Sequence, residues 1–76
     1  MIINVTQEDI DSGTNPIVVA VRREHNIDCF LDEHWIVIHG KRRRTLKLPE
    51  SAENFNRWHF MGGEPAGLKP FSFEVK

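Results

Sequence analysis

WIVIHGKRRRTLKL, residues 35–48, joins an apolar, mostly β-branched run to a second alternating run through a glycine and four consecutive cations. β-branched and aromatic residues suit a pleated, half-buried strand, and the glycine permits a tight turn. The stretch therefore predicts a β-hairpin: strand Trp35–His39, a turn at Gly40-Lys41, and a return strand Arg44–Leu48. With side chains alternating, Ile36 and Ile38 share one face of the first strand, and Trp35, Val37 and His39 the other. Both faces are apolar enough to place this strand mid-sheet, covered at least partly on each side. On the return strand Leu46 and Leu48 point inward and Thr45 and Lys47 outward.

The flanking residues extend the hairpin in both directions. Ile27 to Asp32 predicts a preceding strand, with Ile27, Cys29 and Leu31 on one face, and Asp32-Glu33-His34 a polar turn. Pro49 ends the hairpin and can start a helix over Glu50–Phe60, whose early acids suit the positive end of the helix dipole. Ala52, Phe55 and His59 form its apolar stripe, widened by Trp58 and Met61. Gly62-Gly63 stops this helix, a loop with Pro65, Gly67 and Pro70 follows, and Phe71–Val75 closes the chain as an alternating strand.

Upstream, Ile2–Val5 predicts a strand, and Thr6 with Asp9 three residues on has the spacing of a capping box for a short acidic helix ending at Gly13. Asn15 and Pro16 are N-cap and first-turn residues, but Ile17, Val18, Val19 and Val21 favour a strand. Helix is preferred for residues 16–25 because Arg22, Arg23 and His25 then fall in its last turn, where cations suit the dipole. The order is β-α-α-β-β-β-α-β. It describes a single α+β domain over residues 1–76, a mostly antiparallel sheet of about five short strands with two or three helices on one face.

Seventy-six residues with 39% hydrophobic content and seven aromatics can form one small core. A core of this size supplies roughly 3–5 kcal/mol, so association with a partner or a second copy would add usefully to it. The single cysteine, Cys29, allows no intrachain disulfide, and nothing demands an oxidising compartment. No apolar run approaches the roughly 20 residues that span a bilayer, and the N-terminus lacks the pattern of a signal peptide. These features predict a cytoplasmic protein that does not use a membrane.

The net charge of −1 conceals an asymmetry: residues 1–40 stand at −5 and residues 41–76 at +4. Lys41, Arg42, Arg43 and Arg44 are the sharpest feature. Arginines at a hairpin tip can grip phosphates in pairs of hydrogen bonds, with Trp35 and Trp58 as stacking platforms. They can equally be a solvated edge that discourages strand-to-strand aggregation, a patch for a protein partner, or cations neutralised by Asp32 and Glu33. Arg57 and Trp58 are residue types enriched at binding hot spots. Trp58 serves either as such a contact or as a cover over the edge of the core.

Cys29, His34 and His39 are spaced Cys-x4-His-x4-His, unlike the tight pairs of structural zinc sites, so no metal or other cofactor is expected. No nucleophile motif or glycine-rich phosphate loop occurs, and a domain this small has little room for a water-excluding pocket. No catalytic residue is assigned, and an enzyme is not expected.

The pattern Ile3-x-Val5-Thr6-x-x-Asp9-Ile10-x-x-Gly13, then Pro16 with Ala20, Leu48-Pro49-x-x-Ala52-x-x-Phe55, and Pro70-Phe71-x-Phe73 runs across almost the whole chain. It resembles a group of small uncharacterised accessory proteins of tailed bacteriophages and prophages. The chain departs from that group in Phe60-Met61-Gly62-Gly63, where an acid after the Phe is usual, and in its heavier cationic tip. The resemblance implies a phage origin and a life in the bacterial host cytoplasm, and brings no catalytic residue. The resulting expectation is a non-enzymatic accessory protein that binds a host or phage protein, as an inhibitor of a host factor or defence system, or that forms a homodimer. Lys41, Arg42, Arg43, Arg44, Arg57 and Trp58 are its expected partner-binding residues. The alternative is nucleic-acid binding through the hairpin cations.

Overall fold

A computed structural model describes residues 1–62 and 67–75, so the expectations at Gly63 and Pro65 lie outside the described residues. The elements follow the expected order: β1 (Ile2–Val5), α1 (Gln7–Ile10), α2 (Pro16–His25), β2 (Asp28–Leu31), β3 (Trp35–His39), β4 (Arg43–Lys47), α3 (Glu50–Phe60) and β5 (Phe71–Glu74). Residues 16–25 are helical despite their β-branched run. Asn15 Oδ1 accepts the Ile17 amide at 3.0 Å, and Pro16 fills the first turn. At the other end Asn26 adopts a left-handed conformation (φ 54°). Two good ends outweigh propensities that differ by only a few tenths of a kcal/mol per residue.

The chain is α+β, and its five strands divide between two antiparallel sheets rather than joining one: β1 with β5, and β2-β3-β4. The physical reason lies at the outer edge of β1, whose polar groups are taken by the last turn of α2. The Asn4 amide donates to Glu24 Oε1 at 2.6 Å, Arg23 Nη2 donates to the Asn4 carbonyl at 2.8 Å, and His25 Nε2 lies 2.9 Å from the Ile2 carbonyl oxygen. With those groups occupied, β1 offers no ladder to β2, and α2 packs on both strands.

Thr6 and Asp9 form the capping box read from the sequence: Thr6 Oγ1 accepts the Asp9 amide at 3.3 Å, and Asp9 Oδ2 accepts the Thr6 amide at 2.9 Å. Asp9 is also buried, and Arg23 grips both of its oxygens, Nε to Oδ1 at 3.2 Å and Nη2 to Oδ2 at 2.9 Å. One carboxylate thus joins α1 to α2, while Arg23 reaches on to β1.

Ile3, Val5, Ile17, Ala20, Val21, Ile36, Ile38, Leu48, Ala52 and Phe73 form the centre of the core. Phe71 stacks on Phe73 with ring centroids 5.4 Å apart and meets Phe55 of α3 at 4.6 Å, which fixes that helix against the β1-β5 pair. The buried stripe of α3 is Ala52, Phe55 and Asn56, with His59 half-buried. Trp58 and Met61 do not widen it, being 46% and 78% exposed. At about 100° per residue, Met61 lies diametrically opposite Ala52, and Trp58 falls well to one side.

Candidate functional site

In the hairpin, His39 faces Arg43 and Ile38 faces Arg44, so Gly40, Lys41 and Arg42 make the connection. Lys41, Arg42, Arg43 and Arg44 are all exposed. Among the described residues none of the four is within ion-pair distance of a carboxylate. Arg43 stands in a cross-strand row with His39 and Asp28, whereas Arg44 stands with Ile38 and Cys29 on the opposite face. The four cations therefore surround the tip instead of converging.

Asp32 and Glu33 do not neutralise them. Both lie at the other end of β3, about 13 Å away along the strand, and both have local work. Asp32 Oδ1 accepts the amides of His34 (2.9 Å) and Trp35 (2.7 Å), closing the turn from β2 to β3. Glu33 stands 3.8 Å from Arg57 Nε. With side chains 63% and 49% exposed, that pair contributes little to stability.

Arg57 and Trp58 belong to this far end, because α3 is anchored there. Asn56 Nδ2 donates to the Asp32 carbonyl at 3.0 Å, and Glu53 meets His34 Nδ1 at 2.5 Å and Lys47 Nζ at 3.5 Å. The six expected partner-binding residues thus lie on two surfaces at opposite ends of the β2-β3-β4 sheet. Around Arg57 the last turn of α3 exposes Phe60 (61%) and Met61 (78%). With Glu33 and Arg57 they line an open cleft of about 390 Å³. Phe60 was assigned no role from the sequence and Met61 was placed on the apolar side of the helix, although helical phase puts both outside the buried stripe.

Trp58 is neither fully buried nor fully free of the fold. Its indole is half-exposed yet rests on Gly67, where an added Cβ would sit 2.7 Å from Cζ2. Gly67→Ala should therefore displace the ring, read as a shift in tryptophan emission with a stability change of about 1 kcal/mol or less. Unchanged emission would show that the ring does not depend on this contact.

A third surface is the outward face of β2-β3-β4. Strand parity places Asp28 and Phe30 of β2, Trp35, Val37 and His39 of β3, and Arg43, Thr45 and Lys47 of β4 on it. Phe30 is 62% and Trp35 42% exposed. Val37 is covered, yet it is not part of the core cluster, so its neighbours on this open face shelter it. The central strand is thus packed by helices on one side only. Phe30 was overlooked, though assigning Cys29 and Leu31 to the core already turned it outward.

The remaining reactive side chains are scattered. Cys29 faces Ile38 toward the core, His39 projects at the hairpin tip, and His34 is held by Glu53 at the other end. Among the described residues no three potential ligands gather as a metal site. Burial pushes the Cys29 thiol up to about 11, helped by Asp28 and opposed by Arg22. Alkylation of Cys29 by iodoacetamide should be slow at pH 7.5 and accelerate toward pH 11, because only the thiolate attacks. Rapid labelling at pH 7.5 would contradict this burial. No helix of the described chain is long and apolar enough to cross a membrane. The chain matches no protein-family model, no curated protein and no solved structure.

Proposed function

We propose that this chain is a non-enzymatic accessory protein of phage or prophage type. It works in the bacterial cytoplasm by binding a host or phage protein, with inhibition of a host factor or defence system as its effect. The observation that supports this most is the C-terminal end of α3. Trp58, Phe60 and Met61 stay exposed beside Arg57 and a cleft, on a domain too small to leave large apolar groups outside its core without cost. Aromatic, methionine and arginine side chains around a depression are the composition of an interface centre. The sequence resemblance supplies the biological setting.

The test is capture from infected cells with a tagged chain, alongside a Phe60→Glu, Met61→Glu variant. Neither side chain is in the core, so the variant should keep the wild-type circular dichroism and thermal midpoint. A protein retained by the wild type and lost with the variant supports the proposal. Identical captures, or none beyond the tag control, would end it. Light scattering on the same two proteins covers the homodimer: a wild-type dimer that the variant converts to monomer would make the partner a second copy.

A further inference from the structure

We infer that the outward face of the β2-β3-β4 sheet is a platform for single-stranded nucleic acid, with Phe30 and Trp35 stacking on bases and the hairpin cations holding phosphates. This surface is separate from the α3 end, and the inference stands without the function proposed there. Three observations combine. First, the two aromatics are exposed on the open face of a regular sheet. Phe30 is directly opposite Val37, two residues along β3 from Trp35. The rings are therefore diagonal neighbours about 7–8 Å apart at their Cα atoms, room for two adjacent bases with the covered Val37 between them.

Second, the cations border this pair. Arg43 and Lys47 project from β4 on the same face as Phe30 and Trp35, and Lys41, Arg42 and Arg44 extend the positive charge around the tip. No acid occurs between Trp35 and Leu48. Third, the one carboxylate that parity puts on the face, Asp28, and those nearest to it are already engaged. Asp28 pairs with Arg22 at 2.7 Å, Asp32 holds the β2-β3 turn, and Glu33 and Glu53 pair with Arg57 and Lys47. A polyanion approaching the outward face of β4 thus meets Arg43, with Lys41 and Arg42 at the adjoining tip, and none of the three is ion-paired among the described residues.

Single strands fit this face better than a duplex, because base faces are available for stacking only where the bases are unstacked from each other. They also fit better than a protein. The apolar groups are two separated rings set among Thr45, His39, Arg43 and Lys47, whereas interface centres are depleted of lysine and other charges.

The experiment is fluorescence anisotropy of labelled oligo-dT and oligo-U, roughly 12 nucleotides long, with the full chain at low salt. Binding should weaken as salt rises, with a log-log slope of about −3 for four phosphate contacts. Phe30→Ala and Trp35→Ala should each lower affinity by about 5- to 100-fold while leaving the circular dichroism unchanged. Thr45→Glu keeps both rings, places an acid at the centre of the face and should also abolish binding. Heparin and a duplex of matched length are the comparisons, and both should bind more weakly.

Four results would overturn the assignment: no binding at low salt, heparin or duplex binding as tightly as the oligonucleotides, full affinity in the Phe30→Ala and Trp35→Ala proteins, or full affinity in a folded Thr45→Glu protein. The first, combined with a captured protein that these same substitutions release, would give the face to a protein partner instead.

Discussion

Asp9→Ala should lower the unfolding free energy at pH 7 by about 2–3 kcal/mol, read from urea denaturation. The carboxylate is buried and does three things at once: it caps the Thr6 amide, binds Arg23 through both oxygens, and so fastens α1 to α2. Breaking a fully buried pair costs about 3–5 kcal/mol. The figure here is lower because the Arg23 side chain is 42% exposed, and water takes over part of its solvation. On a core supplying about 3–5 kcal/mol, even this loss leaves a large unfolded fraction. Asp9→Asn keeps a cap acceptor without the charge and should fall between the two. A loss below about 0.5 kcal/mol for the alanine variant would mean that the pair is surface decoration.

The same group makes stability depend on acid. Burial alone disfavours the Asp9 anion, but the Arg23 hydrogen bonds and the Thr6 amide and hydroxyl outweigh it, so its pKa sits below the ordinary 3.8. The folded state therefore binds this proton less readily than the unfolded chain. The carboxylate's stabilisation is complete above the unfolded value and disappears as pH falls through the folded one. Glu53, held by His34 and Lys47, and Glu24, held by the Asn4 side chain and amide, are also lowered from 4.5 and act in the same direction. The thermal midpoint should be flat from pH 7 to about pH 5 as far as these groups decide it, then fall steeply below pH 4. In Asp9→Asn the fall should be shallower.

Asn56→Leu should cost about 2–3 kcal/mol, although leucine is the better core residue by hydrophobicity. Asn56 is buried at a three-way junction. Its amide donates to the Asp32 carbonyl at 3.0 Å, and its Oδ1 accepts from Asn15 Nδ2 at 3.2 Å. Asn15 is in turn the cap of α2. Leucine leaves a carbonyl and an amide without these partners and loosens the α2 cap, which is why the effect exceeds that of one hydrogen bond. Asn56→Ala, which removes the polar contacts without adding bulk, should be destabilising by a similar amount. A leucine variant as stable as wild type would show that water replaces both contacts at no cost.

The hairpin was legible because its signals agree at every level: β-branched alternation, a glycine turn, and charges where the edge strand meets solvent. The α3 span and the Thr6-Asp9 box were legible for the same reason, since proline, acids and a cap residue act within a few residues of themselves. Asn56 was not, because a polar residue on a helix gives no sign that two distant segments will bring it partners. The candidate surface was half legible. Parity and helical phase, applied strictly, turn Phe30, Phe60 and Met61 outward, but no local pattern says that the four cations and the Arg57-Trp58 pair lie at opposite ends of a sheet.

By itself, then, the sequence determined which segments become helix or strand and in what order, since caps, turns and periodicity are local physics. The tertiary structure alone decided that the strands form two sheets, because α2 side chains occupy the edge of β1. It alone also decided that the hairpin's outer face stays open, because both packed helices lie on the other side. Those outcomes depend on which distant groups satisfy one another's hydrogen bonds and apolar area, and no local pattern encodes that choice.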